Sequence, residues 1–376
     1  MIGDLTNPME RRSLWQAVRR YVLVFDATLL LSLALIVLIS LLTMYSAAFD
    51  YPGRLSAHLR NIAIAGGVMW LMALVPPALL LRIAPPLYAI GVALLVAVAL
   101  FGITSKGAQR WLDIGVTRIQ PSEMLKLATP LMLAWYFHQR EGAMRWYDFA
   151  IAAVLLAVPV GLVAEQPDLG TSILVLAAGA YVIFFAGLSW RVIGGLLAAG
   201  VAALPALWMV MHDYQRQRVL TLLDPTADPL GKGFHIIQST IAVGSGGLTG
   251  KGWMLGTQTH LDFIPERTTD FILAVFAEEF GLLGIGVLML LYLAVISRGL
   301  VIAASGATLF GRLMAGSLTM SFFTYCFVNM GMVVGILPVV GVPLPWMSYG
   351  GTAMVTLGLG VGVLMSISRH RTLVQT

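Results

Sequence analysis

The sequence predicts an all-α polytopic membrane protein, with about ten transmembrane helices and one long extracytoplasmic loop between the seventh and the eighth. Three observations predict it. Of the 376 residues, 59% are hydrophobic and only 11% charged, where a soluble domain carries about a quarter charged residues. Mean hydropathy is +0.87. Apolar runs of roughly 20 residues, the length that crosses a hydrocarbon core, recur near 22–47, 59–78, 83–103, 120–138, 147–164, 169–187, 190–210, 271–297, 307–335 and 346–367. The polar stretch 211–269 is the long loop, so 1–376 reads as a single integral membrane domain.

Arg11, Arg12, Arg19 and Arg20 precede the first run and no small-residue cleavage site follows it, so the run is an uncleaved span rather than a signal peptide. Orientation follows from the short loops. With the N-terminus inside, one side collects Arg82, Arg140, Arg145, Arg191, Arg298, Arg312, Arg369 and Arg371. The other holds only Arg54, Arg60, Lys106, Arg110 and Arg118. Both termini are therefore expected in the cytoplasm. The net charge of +5 is no nucleic-acid signal, because cytoplasmic loops of membrane proteins are basic anyway. Cys326, the single cysteine, cannot form an intrachain disulfide and reads as a small core residue.

The polar segments gather on the outer side. KGAQRWLDIGVTRIQPSEMLK leads into the fourth span, EQPDLGTS opens the sixth, the long loop joins the seventh to the eighth, and ILPVVGVPLPWMSYGG joins the ninth to the tenth. Chemistry confined to one face suits an interfacial enzyme better than a through-going carrier. In the fourth span Glu123 and Lys126 share a helical face at i, i+3 behind Pro121, either as an internal strut or as substrate ligands; their cost inside a membrane favours function. Asp168 stands at the head of the sixth span, where it caps backbone N–H groups or binds substrate. Arg216, Arg218 and Lys232 in the long loop are phosphate-seeking charges or a solvated basic patch near headgroups. HIIQSTIAVGSGG predicts an amphipathic or re-entrant helix, while His235 and His260 are isolated polar residues, with no His and Cys cluster at metal spacing.

The segment 253–281 carries the strongest signal. Asp262, Glu266 and Asp270 lie on its loop side, and Glu278 and Glu279 are expected two turns or more inside the apolar run that starts at Phe271. A carboxylate this close to hydrocarbon is a functional hypothesis by default. Asp270 sits at the mouth of its span, at headgroup depth, whereas Glu278 lies about 12 Å deeper by helical rise. Asn would cap a helix as well as Asp does but cannot accept a proton.

KGAQRWL with IQPSEMLKL, EQPDLGTS, QSTIAVGSGG with GKG, PERTTDFILAVFAEEFG and NMGMVVGILPVVGVPLPWMSYGG resemble, in order and spacing, the motifs of the SEDS family, in its elongation-type rather than its division-type branch. The resemblance spans all ten runs. It implies a glycosyltransferase that polymerises lipid II, the undecaprenyl-diphosphate disaccharide-pentapeptide, during cell elongation on the outer face of the bacterial inner membrane. It implies Asp270 as the catalytic residue and Glu123, Lys126, Arg110, Trp111 and Asp168 as substrate-binding positions. It also implies a class B penicillin-binding transpeptidase as partner, near the eighth or ninth span, among other elongation-complex proteins. Thr268, Leu273 and Trp346 depart from residues common in the family and leave the acidic position untouched.

One carboxylate suffices for such chemistry. Glycoside hydrolases use a second acid for an alkoxide leaving group, but a lipid diphosphate leaves as a stable anion. Asp270 is then expected to take the proton of the acceptor 4-hydroxyl in an inverting transfer. Lys126, Arg110, Arg216 and Arg218 would hold the diphosphate, and Mg²⁺ or Mn²⁺ is the candidate ion to bridge its oxygens. The competing readings are a flippase for the lipid-linked precursor, which would spread charges along a path through the membrane, and a non-catalytic scaffold, which needs no interfacial acid.

Overall fold

Asp26 opens the first described helix: its carboxylate accepts from Leu29 N at 3.3 Å, and α1 (Ala27–Ala47) follows. The computed structural model describes residues 25–105, 108–113, 118–166, 168–211, 213–227, 233–264 and 266–370. After α1 come α2 (Arg54–Leu74) and α3 (Pro77–Phe101). A short antiparallel ribbon of β1 (Ile103–Ser105), β2 (Ala108–Asp113) and β3 (Arg118–Ile119) then fills what was expected to be an irregular loop. Next are α4 (Pro121–Gln139), α5 (Trp146–Glu165), α6 (Leu169–Phe185) and α7 (Trp190–Val210). The long loop contains α8 (Asp213–Leu223), α9 (Phe234–Ser245) and the short α10 (Thr257–His260). The chain closes with α11 (Ile272–Ala304), α12 (Leu309–Val333) and α13 (Gly351–His370).

Seven of these helices are long and apolar enough to cross a membrane, and the molecule is a multi-pass helical membrane protein. α12 is the centre of the bundle, packed against α4, α6, α11 and α13. The small-residue run 358–362 of α13 seats that helix on α2, where a Cβ at Gly358 would meet Ala65 O at 2.6 Å. At the far end Arg298 of α11 clasps Asp26 through Nε at 3.0 Å and Nη2 at 2.7 Å, and Ser368 of α13 donates to the same carboxylate at 3.2 Å. By contrast, α7 buries no described residue; a helix apolar all round with so little protein against it suits a lipid environment.

The eighth span is a correction. α11 is not one rod from 271: Gly281 breaks it at φ 62°, ψ −162°. Residues 272–279 are buried in protein, whereas Leu282 and Leu283 just past the break are exposed at 59% and 66%. The lipid-facing run thus starts at Leu282, eleven residues after the expected 271, and Glu278 and Glu279 precede it rather than lying two turns inside it. The loop repairs the break. Lys251 N and Gly252 N donate to Glu278 O and Glu279 O, both at 3.0 Å, and Leu282 N and Leu283 N donate to Gly247 O at 2.9 Å and Leu248 O at 3.0 Å. Such knitting is required because unpaired backbone groups at membrane depth cost several kcal/mol, about the price of a lost hydrogen bond in hydrocarbon.

The glycines of GSGGLTGKG are therefore a backbone clip, not a phosphate cradle. A Cβ at Gly250 would lie 2.1 Å from Glu279 O, and its φ is +81°. Glu278 clamps the same loop from below, accepting from Lys251 Nζ at 2.7 Å, Gln258 N at 3.0 Å and Thr257 Oγ1 at 3.1 Å, and Glu279 accepts from Ser46 of α1. The tenth span also begins later than expected, at Gly351, because 344–350 is a turn in which Trp346 takes φ 60°.

Gly250→Ala is expected to destabilise the protein by about 2–4 kcal/mol, from backbone overlap plus a left-handed φ. Gly244→Ala, in α9 with nothing within 4 Å of its Cβ, should be neutral or stabilising by up to about 1 kcal/mol. Thermal unfolding of the two variants in detergent measures the contrast.

Candidate active site

The turn that carries Asp270 is fixed before its side chain is considered. Thr269 N and Phe271 N donate to Glu266 O at 3.1 and 3.2 Å. Phe271, not Asp270, is the N-cap of α11, and its side chain makes no capping bond. Arg267, three residues ahead of Asp270, is 1% exposed. Its Nε donates to Ala47 O at the end of α1 at 2.7 Å, its two terminal nitrogens donate to Asp262 and Asp50, and the rings of Phe49 and Tyr51 stack on it, each 5.0 Å away. Thr268 O accepts from Tyr349 N at 2.8 Å. Asp270 O accepts from Asn329 Nδ2 of α12 at 2.9 Å. Three consecutive pins thus hold the turn to α1, to the segment before α13 and to α12.

Below the turn lies a polar cavity of about 370 Å³, lined by Asp270, Arg110, Glu123, Lys126, Asp168 and Arg218 together with the 339–343 segment. These six came from four separate stretches of the sequence. Pro121 starts α4, so Glu123 and Lys126 share a face, and Lys126 Nζ donates to Glu123 Oε1 at 2.6 Å. Thr356 of α13 donates to Glu123 Oε2 at 3.1 Å, and the Lys126 ammonium lies 5.4 Å from the Tyr325 ring centre. The strut and the ligand readings are thus compatible, because the pair both joins helices and faces the cavity. Asp168 likewise does both. Its Oδ1 caps α6 by accepting from Thr171 N at 3.2 Å, while Oδ2 accepts from Gln120 at 3.2 Å and faces Arg110 Nη1 at 3.7 Å. Gly170 is the reason the cavity closes: a Cβ there would meet Val340 O at 2.5 Å.

Two expected residues, Arg216 and Trp111, are not brought into the cavity. Arg216 turns back on α7, donating to Trp208 O at 2.9 Å and Met209 O at 2.7 Å; it satisfies the orphan carbonyls of a helix end rather than a phosphate. Trp111 is half-buried in β2, paired across the ribbon with Ile103, and lies outside the cavity wall. Lys232 is outside the described residues. Sequence reasoning missed Arg267 and Asn329. Both stand in the motifs quoted above; the one local signal was a lone amide, Asn329, inside the apolar run 307–335, whereas Arg267 lies among the other charges of the polar loop. His235 stacks on Phe271 at 5.8 Å and His260 on Phe49 at 4.6 Å.

Two further spaces adjoin the cavity. An apolar groove of about 730 Å³ runs between α2, α3, α4 and α13 and shares Gln120 and Glu123 with it. Beneath Lys126 is a small, mostly apolar pocket of about 40 Å³ among Leu174, Ala178, Phe322, Leu357 and Leu364, with Thr319, Ser321 and Tyr325 as polar members, so the charged lining ends at the ammonium. Among the described residues no three His, Cys, Asp or Glu side chains converge as metal ligands. Glu123 and Asp168 are engaged by neighbouring cations.

The profile of the FtsW/RodA/SpoVE cell cycle proteins matches residues 20–373. The chain is 52% identical over 368 residues to the peptidoglycan glycosyltransferase MrdB of Escherichia coli strain K12, covering 98% of both chains. It is 36% identical to MrdB of Helicobacter pylori strain J99, over 82% of this chain and 81% of that one. Among solved structures, a chain from a peptidoglycan synthase complex that coordinates polymerization and crosslinking superposes with TM-score 0.80 at 34% identity, over 93% of this chain and 99% of that one. The rod shape determining protein RodA of Thermus thermophilus superposes with TM-score 0.70 at 28% identity, over 93% and 98%.

Arg267→Gln is expected to cost about 3 kcal/mol, the low end for breaking a buried pair, since Asp50 and Asp262 both reach solvent. Arg267→Lys should recover little, lacking the planar fork. The Arg267 guanidinium holds the Asp50 carboxyl below the usual carboxylate range. The pair's contribution is therefore complete above about pH 4, the unfolded value, and is lost as pH falls through the lower folded value. Unfolding of wild type and Arg267→Gln should converge below that pH.

Proposed function

The chain belongs to the FtsW/RodA/SpoVE family, on its RodA-type branch, and from that membership we propose that its cavity binds the diphosphate of lipid II with Asp270 as the base of glycan polymerisation. It is a peptidoglycan glycosyltransferase of cell elongation. One observation carries the reading of the site: a polar cavity holding three cations and three acids opens beside an apolar groove and shares Glu123 and Gln120 with it. A lipid diphosphate has this division of polarity, with an isoprenoid chain for the groove and a sugar-bearing dianion for the cavity.

Within that frame Arg110, Lys126 and Arg218 stabilise charge as the diphosphate departs. Glu123 and Asp168 hold two of those cations in place, and Asp270 takes the proton of the acceptor 4-hydroxyl as the hydroxyl attacks the anomeric carbon from the opposite side. The bond to the diphosphate breaks as the glycosidic bond forms, and configuration inverts. No second acid is required, because the leaving group is a stable anion. Mg²⁺ or Mn²⁺ brought in with the diphosphate would offset its charge; with no cluster of three ligands among the described residues, the donor set suits such a substrate-borne ion better than a resident one, and Asp270 would help to hold it. The end of the charged lining at Lys126 favours transfer at one face over passage of the lipid across the bilayer.

The site then faces the periplasm, both termini lie in the cytoplasm, and the membrane is the bacterial inner membrane, in keeping with the distribution of Arg in the short loops. A class B penicillin-binding transpeptidase is the partner, supported by the synthase complex among the relatives. An apolar groove between α11 and α12, lined by Met289, Phe323, Phe327 and Val334, suits its membrane helix.

The test is polymerisation of labelled lipid II by purified protein, with and without the transpeptidase. Asp270→Asn should abolish chain growth while unfolding stays within about 1 kcal/mol of wild type, since size is kept. The transpeptidase should raise the wild-type rate, and EDTA should lower it if the ion takes part. Undiminished polymer from Asp270→Asn would remove Asp270 as the base, and lipid II moved across vesicles without polymer would restore the flippase reading.

A further inference from the structure

Asn329 of α12 is fully buried, and its side-chain amide reaches two segments that are distant in sequence. Nδ2 donates to Asp270 O at 2.9 Å and to Val342 O at 2.8 Å. Oδ1 is buried with no donor. The orientation of the amide is therefore set by the two carbonyls, since the reversed amide would set an oxygen against two oxygens.

The acceptors belong to two different segments that line the cavity. Asp270 ends the pinned turn, and Val342 lies in the 339–343 wall. Gly341 brings that wall against the carboxylate: at φ +74°, a Cβ there would lie 3.6 Å from Asp270 Oδ2. On its other side the wall rests on Gly170, whose Cβ would overlap Val340 O, and so on the head of α6, where Asp168 faces Arg110. One amide thus sets how far the base stands from the wall and from the layer of charge behind it. Two donors on one short planar group meet this demand; an isosteric carboxylate offers none.

We propose that Asn329 is a positioning residue of glycosyl transfer, its amide fixing the spacing between the Asp270 and Val342 carbonyls and thereby holding the base at attack distance from the acceptor hydroxyl. This rests on the reading of Asp270 as the base. It differs from a merely structural role in what it does to the kinetics: misplacing a reacting group by about 1 Å costs up to about 100-fold in rate, whereas a strut costs stability and leaves the folded fraction at full speed.

The experiment is lipid II polymerisation by the full chain with its transpeptidase, comparing wild type, Asn329→Asp, Asn329→Gln and Asp270→Asn. Expected for Asn329→Asp is a fall in kcat of about 10- to 100-fold, with KM within about twofold. Asn329→Gln keeps both N–H donors on a longer arm and should recover at least about fivefold of that loss. A kcat within twofold of wild type, a loss confined to KM, or no recovery by Gln would each overturn the proposal so long as Asp270→Asn is inactive. If Asp270→Asn is itself active, the reading of the base fails and takes the proposal with it. Should Asn329→Asp not fold, Asn329→Ser, smaller and with one O–H donor, is held to the same kcat and KM limits.

Discussion

Hydrocarbon donates and accepts no hydrogen bonds, so irregular backbone can stand beside it only where protein satisfies every group. The site end of this bundle is built on that constraint. A helix breaks at Gly281 to turn a buried stretch into a lipid-facing one. The four backbone groups freed around the break are taken up by the loop from 247 to 252, and the same loop is clamped through Glu278. Once this scaffold is closed, the turn above it has no freedom left to vary: Arg267, Thr268 and Asp270 are tied in succession to three different parts of the bundle.

The charges below the turn follow a second logic. Cations and acids alternate around the cavity, with Lys126 against Glu123 and Arg110 against Asp168, so that no charge is buried alone, which would be the costly case. Glu123 and Asp168 each also have a structural bond, to Thr356 and to the head of α6. A dianionic diphosphate entering such a site meets cations already held at fixed positions, and little reorganisation remains for the moment of reaction. The apolar groove beside it leaves the isoprenoid chain in surroundings like the bilayer it came from.

Much of this was legible in the sequence. The helices follow from apolar run length, and the paired carboxylate and ammonium of α4 from their spacing behind Pro121. The acid of the TTD turn follows from its place at the mouth of a span. What was not legible depends on contacts remote in the chain. Glu278 reads as intramembrane because periodicity carries straight through Gly281, and only a partner strand of backbone from 247 to 252 makes the break affordable. Arg216 reads as a phosphate ligand because a cation's partner cannot be told from its neighbours in sequence; here the carbonyls of Trp208 and Met209 claim it. Arg267 and Asn329 were passed over for the same reason, since the contacts that pin the turn through them, to Ala47 and to Asp270, reach 220 and 59 positions along the chain.

The most direct measurement is a structure of the Asp270→Asn protein with its transpeptidase and lipid II in a lipid nanodisc. The account predicts the diphosphate against Arg110, Lys126 and Arg218, the isoprenoid along the groove between α2, α3, α4 and α13, and a sugar hydroxyl facing residue 270. Lipid II bound elsewhere, with no phosphate oxygen in contact with Arg110, Lys126 or Arg218, would contradict it.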